Sequence, residues 1–273
     1  MNREEGQIGF IGAGNMATAL VKGLIESGLY DSNQIRVSDS DSEKLQKMSD
    51  EFGVKGCDGN RELVLHSSMV VLSVKPQIIR VVLEEIREEI RDEQLIISIA
   101  AGIPLHLVRD IIGRDVPLIR VMPNTPALIQ RGMSALAPGR TATTDHLKTA
   151  KAIFSAVGQA VVVAEEMMDA VTALSGSGPG FIFRIMECFV EAGKDLGFDP
   201  DISLQLALQT VLGAAHLASE SDKSLSQLRE MVTSPGGTTA AGLAVFEEMG
   251  LEGMIKKVLE TACKRSVELG KAS

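Results

Sequence analysis

The sequence predicts an α/β protein, with an N-terminal Rossmann-like doubly wound sheet followed by an all-α C-terminal dimerisation domain. Three observations carry this. From residue 7 to about 164, short β-rich runs alternate with helix-like stretches. A glycine-rich turn follows the first of those runs, and after about residue 165 the β-rich runs stop and helical patterns take over. Strands alternating with helices imply parallel βαβ units with ligand sites at the C-terminal ends of the strands. The expected domains are therefore residues 1–164, binding a dinucleotide, and 165–273, helical. A chain of 273 residues, 45% hydrophobic, has enough apolar material for two modest cores.

The first expected strand, QIGFI, runs into the turn GAGNMATALVKGLIESG. Gly12, Gly14 and Ala17 fill the GxGxxG/A pattern directly after the strand and at the mouth of a helix. Gly12 permits the tight turn, Gly14 lets a pyrophosphate approach the backbone, and the small Ala17 lets helix and strand pack closely. The helix N-terminus then faces the phosphates. The second strand, IRVSD, ends at Asp39, about 20 residues further on, where a ribose-binding acid is expected. A carboxylate there accepts hydrogen bonds from the adenosine hydroxyls and repels a 2'-phosphate, so Asp39 leans toward NADH; Arg36, Ser38 and Ser40 could still receive a phosphate.

Further strands are expected in MVVLSV, LIISIA, PLIRV, MSALA and AVVVA. VVLSVKPQ puts Lys75 and Pro76 at a strand end, where the lysine can face a phosphate or ribose, or the proline can simply open the next helix. IISIAAGIPL ends a strand in Ala100, Ala101 and Gly102, leaving room for a nicotinamide ring or making a tight turn. RVMPNTP is a double-proline loop that caps a pocket or turns the chain.

In the helical half, TALSGSGPGFIF and MVTSPGGTTAAG both set hydroxyls, glycine and proline before a helix. Consecutive flexible N–H groups beside hydroxyls at a helix start suit a small anion. The segment ISLQLALQTVLGAAHLA is apolar almost all round, its polar positions chiefly Gln205 and Gln209. A helical domain of this size has little core to bury it, so a homodimer is the simplest remedy, against a helix sheathed by its own neighbours.

Net charge is −9 and the isoelectric point about 5.1, with no Lys/Arg cluster, which argues against nucleic acid or an anionic membrane surface as partner. No leader pattern and no run of 18 apolar residues is read. Cys57, Cys188 and Cys263 lie far apart, without metal spacing, as in a reducing compartment, so a cytoplasmic protein without a metal site is expected. His66, His106, His146 and His216 are scattered, which makes a histidine general acid improbable.

Taken together, GFIGAGNMATALVKGL, VVLSVKPQ, SIAAG, VMPNTP, ALSGSGP and MVTSPGGTTAAGLAVFEE resemble the delta-1-pyrroline-5-carboxylate reductase family, in order, from about residue 7 to 270. The resemblance implies NAD(P)H-dependent reduction of a cyclic imine carboxylate to proline, the last step of proline biosynthesis. It also implies a homodimer that assembles further into a decamer. Carried over by position, it makes Gly12, Ala13, Gly14, Asn15 and Met16 the pyrophosphate turn. Asn60, Val74, Lys75, Pro76, Ala100, Ala101 and Gly102 become cofactor contacts, and Glu165, Thr238 and Thr239 substrate contacts. Asp39 departs from the phosphate-binding residues that many members carry there, and Gly180 stands where alanine is usual.

The small ring carries one carboxylate, which fits the Ser234, Gly236, Gly237, Thr238 and Thr239 helix start. A protonated imine is already an electrophile, so alignment matters more than a strong acid. Thr239, directly or through a water, is the expected partner of the ring nitrogen and the catalytic residue. Two other readings are a hydroxyacid or imine reductase and a non-catalytic nucleotide sensor. The first needs a lysine base early on the helix after SGSGP, and Lys194 lies far along it.

Overall fold

The computed structural model of the protein describes residues 6–271. Residues 1–5, read above for a leader, lie outside the described residues. By packing, the chain forms two compact units, one running to Ser177 and including the segment from Thr261 onward, the other Gly178–Glu260.

The first unit is built on an eight-stranded sheet of β1 (Ile8–Ile11), β2 (Ile35–Ser38), β3 (Lys55–Gly56), β4 (Met69–Leu72), β5 (Leu95–Ser98), β6 (Leu118–Met122), β7 (Gly132–Pro138) and β8 (Gly158–Val162), in the order β3-β2-β1-β4-β5-β6-β7-β8. β1, β4 and β5 are buried along their whole length, which is why they read as unbroken apolar runs. Successive residues serve opposite faces. Phe10, Val71 and Ile97 join one core, beneath α1 (Asn15–Glu26), α2 (Ser42–Phe52) and later α6 (Thr144–Ser155). Ile11, Val70, Leu72 and Ile96 join the other, beneath α3 (Asn60–Leu65), α4 (Ile79–Ile86) and α5 (Leu105–Ile112). Helices on both faces make the sheet doubly wound. In α1 the stripe Ala17, Leu20, Val21 and Leu24 is fully buried, each leucine contributing roughly 1.5–3 kcal/mol.

The sheet departs from the expected parallel pattern at one seam. β7 pairs with β6 antiparallel and with β8 parallel. The connection 123–131 is too short for a crossover, which needs about a dozen residues or more. Instead it holds a short 3-10 turn, Thr125–Ile129, and Asn124 braces it by accepting the Met133 N–H at 2.8 Å.

By packing, the first unit continues beyond residue 164 as far as Ser177. Met168, the first residue of α7 (Met168–Val171), is fully buried in a small core with Ala135 and Ala137 of β7. SGSGP is not a free helix mouth either. Thr172–Gly176 forms a π-helical turn that carries the chain from α7 directly into α8 (Gly178–Asp195), with Ser177 N–H on the Thr172 carbonyl at 2.8 Å. The Asn124 amide holds this turn through the Ser175 carbonyl at 3.2 Å.

The second unit holds α8, α9 (Pro200–Glu220), α10 (Leu225–Met231), α11 (Thr238–Glu248) and the first half of α12 (Leu251–Lys271). α8 and α9 meet where small residues allow it, with Ser203 Oγ donating to the Val190 carbonyl at 2.8 Å opposite Gly193. Along α9 only Ser203 and Ala207 are buried, while Ile202, Leu204, Leu206, Leu208, Leu212 and Leu217 stay exposed. By length and composition alone α9 could cross a membrane.

Candidate functional site

In the first unit the glycine-rich turn is built where β1, β2 and β4 end. Gly12 has φ +103°, and a Cβ there would lie 2.8 Å from the Ser73 carbonyl oxygen, so only glycine fits this turn. Its N–H donates to the Ser38 carbonyl at 2.7 Å, which docks the turn on β2. Gly14 is the N-cap of α1 with no capping side chain, and a Cβ there would meet nothing within 4 Å. The first N–H groups of α1, from Asn15 and Met16 onward, therefore open on a cradle for a phosphate. Ala17, fully buried, closes the helix onto the strand as expected.

A cavity of about 540 Å³ lies beside this turn. Ile11, Gly12, Gly14, Ser38, Asp39, Ser40, Lys44 and Asn60 line one part, and Ser73, Val74, Lys75, Ile78, Val81, Val82 and Glu85 the rest. Expected residues from four separate segments thus come together on one cavity. Pro76 opens a short 3-10 turn immediately after exposed Lys75. Sequence reasoning missed Ser73 and Glu85. The Ser73 hydroxyl sits 2.8 Å from both the Ile11 and Gly12 carbonyls. Asn60 is fixed from both ends, accepting from Ser38 Oγ and donating to Glu85 Oε2, each at 2.8 Å. Neither contact has a sequence signal, since each joins positions more than 20 residues apart.

Asp39 sits on the cavity wall, and both of its oxygens also serve the backbone. Oδ2 accepts the Ala13 N–H at 2.7 Å, and Oδ1 the Asp41 N–H at 2.8 Å. Lys44, on the same wall, pairs with Asp41 at 2.9 Å. That contact raises the lysine's pKa and lowers the carboxyl's.

Ala100, Ala101 and Gly102 turn at the end of β5, but the room beside Gly102 is filled by Ser266 and Leu269 of α12. Glu165, expected as a substrate contact, turns inward. Its Oε1 accepts from the Leu105 N–H and from Arg120 Nη1, both at 3.0 Å. Arg120 is buried and also faces Asp169 at 3.6 Å.

In the second unit, Ser234–Gly237 form a tight turn with Pro235 followed by Gly236 at φ +69°. Proline and then a positive-φ glycine is the type II pattern. The turn is closed by the Gly237 N–H on the Ser234 carbonyl at 3.0 Å, so that N–H, expected to face an anion, is engaged within the loop. Gly237 is the N-cap of α11 with no capping side chain, as Gly14 is for α1. Side chains of Asp41, Thr143, Asp199 and Ser224 cap α2, α6, α9 and α10 instead. The N–H groups of Thr238 and Thr239 at the α11 start thus have no side-chain acceptor. Among the described residues no group of three or more His, Cys, Asp and Glu side chains could hold a metal ion.

A doubly wound unit with a glycine-rich helix start beside a cavity, followed by a helical unit with its own uncapped start, defines a nicotinamide-nucleotide-dependent oxidoreductase. Residues 7–102 match a family model described as NADP oxidoreductase, coenzyme F420-dependent, and residues 165–269 one described as pyrroline-5-carboxylate reductase dimerisation. The chain is 43% identical over 268 residues to pyrroline-5-carboxylate reductase of Methanosarcina acetivorans, covering 98% of this chain and 99% of that one. A solved pyrroline-5-carboxylate reductase from Coxiella burnetii superposes with a TM-score of 0.91 at 40% identity, covering 97% of this chain and 98% of that chain. The Plasmodium falciparum pyrroline carboxylate reductase, solved with NADP bound, gives a TM-score of 0.88 at 28% identity, covering 98% and 99%. The chain belongs to the pyrroline-5-carboxylate reductase family.

Proposed function

We propose that this chain reduces the cyclic imine of 1-pyrroline-5-carboxylate to L-proline with NAD(P)H, the last step of proline biosynthesis. The observation that carries the reading is the α11 start, a Pro235–Gly236 turn ending in a glycine N-cap with no capping side chain. A helix start left open in this way suits a small carboxylate. The carboxylate is held by the N–H groups of Thr238 and Thr239 and the loop from Ser234 to Gly237. When bound, the nicotinamide nucleotide supplies a hydride for the carbon of the C=N bond. Gly12 to Met16 hold its pyrophosphate, with Asn60, Val74 and Lys75 along the cavity beside them, Pro76 next in the chain, and Ala100 to Gly102 at the neighbouring strand end. The part played by Glu165 is indirect, through Arg120 and the start of α5.

The Thr239 hydroxyl, or a water it holds, hydrogen-bonds the ring nitrogen and keeps the substrate aligned. Thr239→Ala is expected to lower kcat by about 10²-fold while nucleotide binding is kept. An unchanged kcat would remove Thr239 from the mechanism. Turnover of the pyrroline with NADH and with NADPH tests the whole reading, and no turnover with either would overturn it.

For the nucleotide, Asp39 places a carboxylate on the cavity wall, which favours NADH over a 2'-phosphorylated nucleotide. The exposed leucines of α9 and the match to a dimerisation family model favour an intimate homodimer over a membrane span, and further assembly into a decamer follows from the family resemblance alone. The acidic net charge of −9 argues against nucleic acid or an anionic membrane surface as partner, and the three scattered cysteines suit a cytoplasmic enzyme.

A further inference from the structure

The turn after β5 is held from three sides, and one of the holding elements is the far end of the chain. Gly102 and Gly270 lie against each other. A Cβ on Gly270 would fall within van der Waals overlap of the Gly102 carbonyl oxygen, and one on Gly102 would lie 3.1 Å from both the Leu269 Cβ and the Ser266 carbonyl oxygen. Four residues before Gly270, buried Ser266 donates its hydroxyl to Asp169 Oδ1 at 2.6 Å. Asp169 faces the guanidinium of Arg120, which also binds Glu165. Glu165 in turn accepts the N–H of Leu105, the residue that begins α5 just past the turn. Arg120 lies on β6 directly beside Ser98, the last residue of β5. Each member of this chain of contacts is fixed by the next, and the arginine at its centre is removed from solvent, where losing a partner is costly.

We propose that the last turns of α12 position the Ala100–Pro104 turn for nucleotide binding, with Ser266 and Gly270 as positioning residues. This rests on the reading that Ala100–Gly102 lie along the cofactor. Gly270 permits the close approach, and Ser266 fixes the rotation of the helix against Asp169. Ser266, Gly270 and the Ala100–Pro104 turn itself do not line the cavity beside Gly12; the turn is tied to its rim by the Ile99 N–H on the Leu72 carbonyl at 3.1 Å, one residue before Ser73. α12 runs from Leu251 to Lys271, and its part from Thr261 onward, which carries Ser266 and Gly270, belongs to the first unit.

The test measures nucleotide affinity directly, by calorimetric titration of folded protein with NADH and NADPH in the absence of the pyrroline, alongside KM for each reactant and the melting temperature. Gly270→Val is expected to raise the dissociation constant and KM of the nucleotide about tenfold, with KM for the pyrroline changed less than about twofold. Ser266→Ala shifts nucleotide affinity the same way by a smaller factor, and Ser266→Thr, which keeps the hydroxyl, restores it. If Gly270→Val does not fold, Gly270→Ala and the two Ser266 variants decide. A lowered melting temperature with wild-type nucleotide affinity in the folded variants would overturn the proposal, as would failure of Ser266→Thr to restore what Ser266→Ala loses. Because the titration needs no pyrroline, wild-type protein that binds nucleotide but does not turn over the pyrroline counts against the proposed reaction alone.

Discussion

The backbone N–H of Ala13 donates to Oδ2 of Asp39 at 2.7 Å, so the acid that ends β2 is built into the glycine-rich turn that ends β1. One carboxylate thus braces the glycine-rich turn and stands on a cavity wall shared with Lys44, Lys75 and Glu85. In Asp39→Asn the amide oxygen can still accept from Ala13, but its NH2 then meets the Asp41 N–H, donor against donor. A lost hydrogen bond to a charged group costs about 1.5–3 kcal/mol. NADH affinity is therefore expected to fall about tenfold, whereas NADPH affinity falls less, because the charge opposing its 2'-phosphate is gone. Titration with both nucleotides checks this, and an equal loss for the two would leave Asp39 as a brace only.

Asn60 closes a second brace on the same cavity. Asn60→Ala removes the acceptor of Ser38 Oγ, a residue 1% exposed, and the donor to Glu85 Oε2. Leaving a buried hydroxyl unpaired costs roughly 1–3 kcal/mol. The urea midpoint should drop accordingly and nucleotide affinity with it. Glu85→Gln keeps an oxygen facing the Asn60 amide and should cost less. A variant at Asn60 with wild-type stability would show that the three side chains are independent.

How much of this was legible in the sequence follows from what each contact leaves behind. β1, β4 and β5 were plain because strands buried on both faces leave unbroken apolar runs. β3 left none, being two exposed residues, Lys55 and Gly56. The reversal at β7 was hidden because alternation carries no direction, and only the short connection 123–131 encodes it. Gly12 and Gly236 could be read, since positive φ selects the residue type. The inward turn of Glu165 could not, because its partner Arg120 sits within the strand run PLIRV and pairing across 45 positions has no local mark. Nor does the helical pattern of α12 say that its last turns leave the helical unit for the sheet.

The turn before α11 can be tested through its backbone alone. Gly236 is exposed at φ +69°, and a Cβ added there would meet nothing within 4 Å, so Gly236→Ala causes no clash and only the left-handed conformation costs free energy. That strain is about 1–2 kcal/mol, enough to raise KM for the pyrroline about tenfold if the turn holds the carboxylate. Asparagine tolerates the region better, so Gly236→Asn should be milder. Nucleotide affinity should be unaffected by either. Steady-state kinetics with an unchanged pyrroline KM in Gly236→Ala would take this turn out of the substrate site.

On α9, Leu204, Leu208 and Leu212 recur every fourth residue on one stripe and are 45%, 45% and 52% exposed in the single chain. A stripe of this kind is stable in water only when something covers it. If a second copy does so, a carboxylate at its centre is buried unpaired on assembly, at about 3–5 kcal/mol. Leu208→Glu should then weaken the dimer by about a hundredfold or more and shift sedimentation equilibrium toward monomer. The helix itself should survive, because Leu208 is not part of the chain's own core, so the far-ultraviolet dichroism should hold. Gln205→Glu, on the polar stripe, is the matched control and should leave the mass unchanged. A Leu208→Glu protein that sediments as wild type would mean that this face is covered by something other than a second copy.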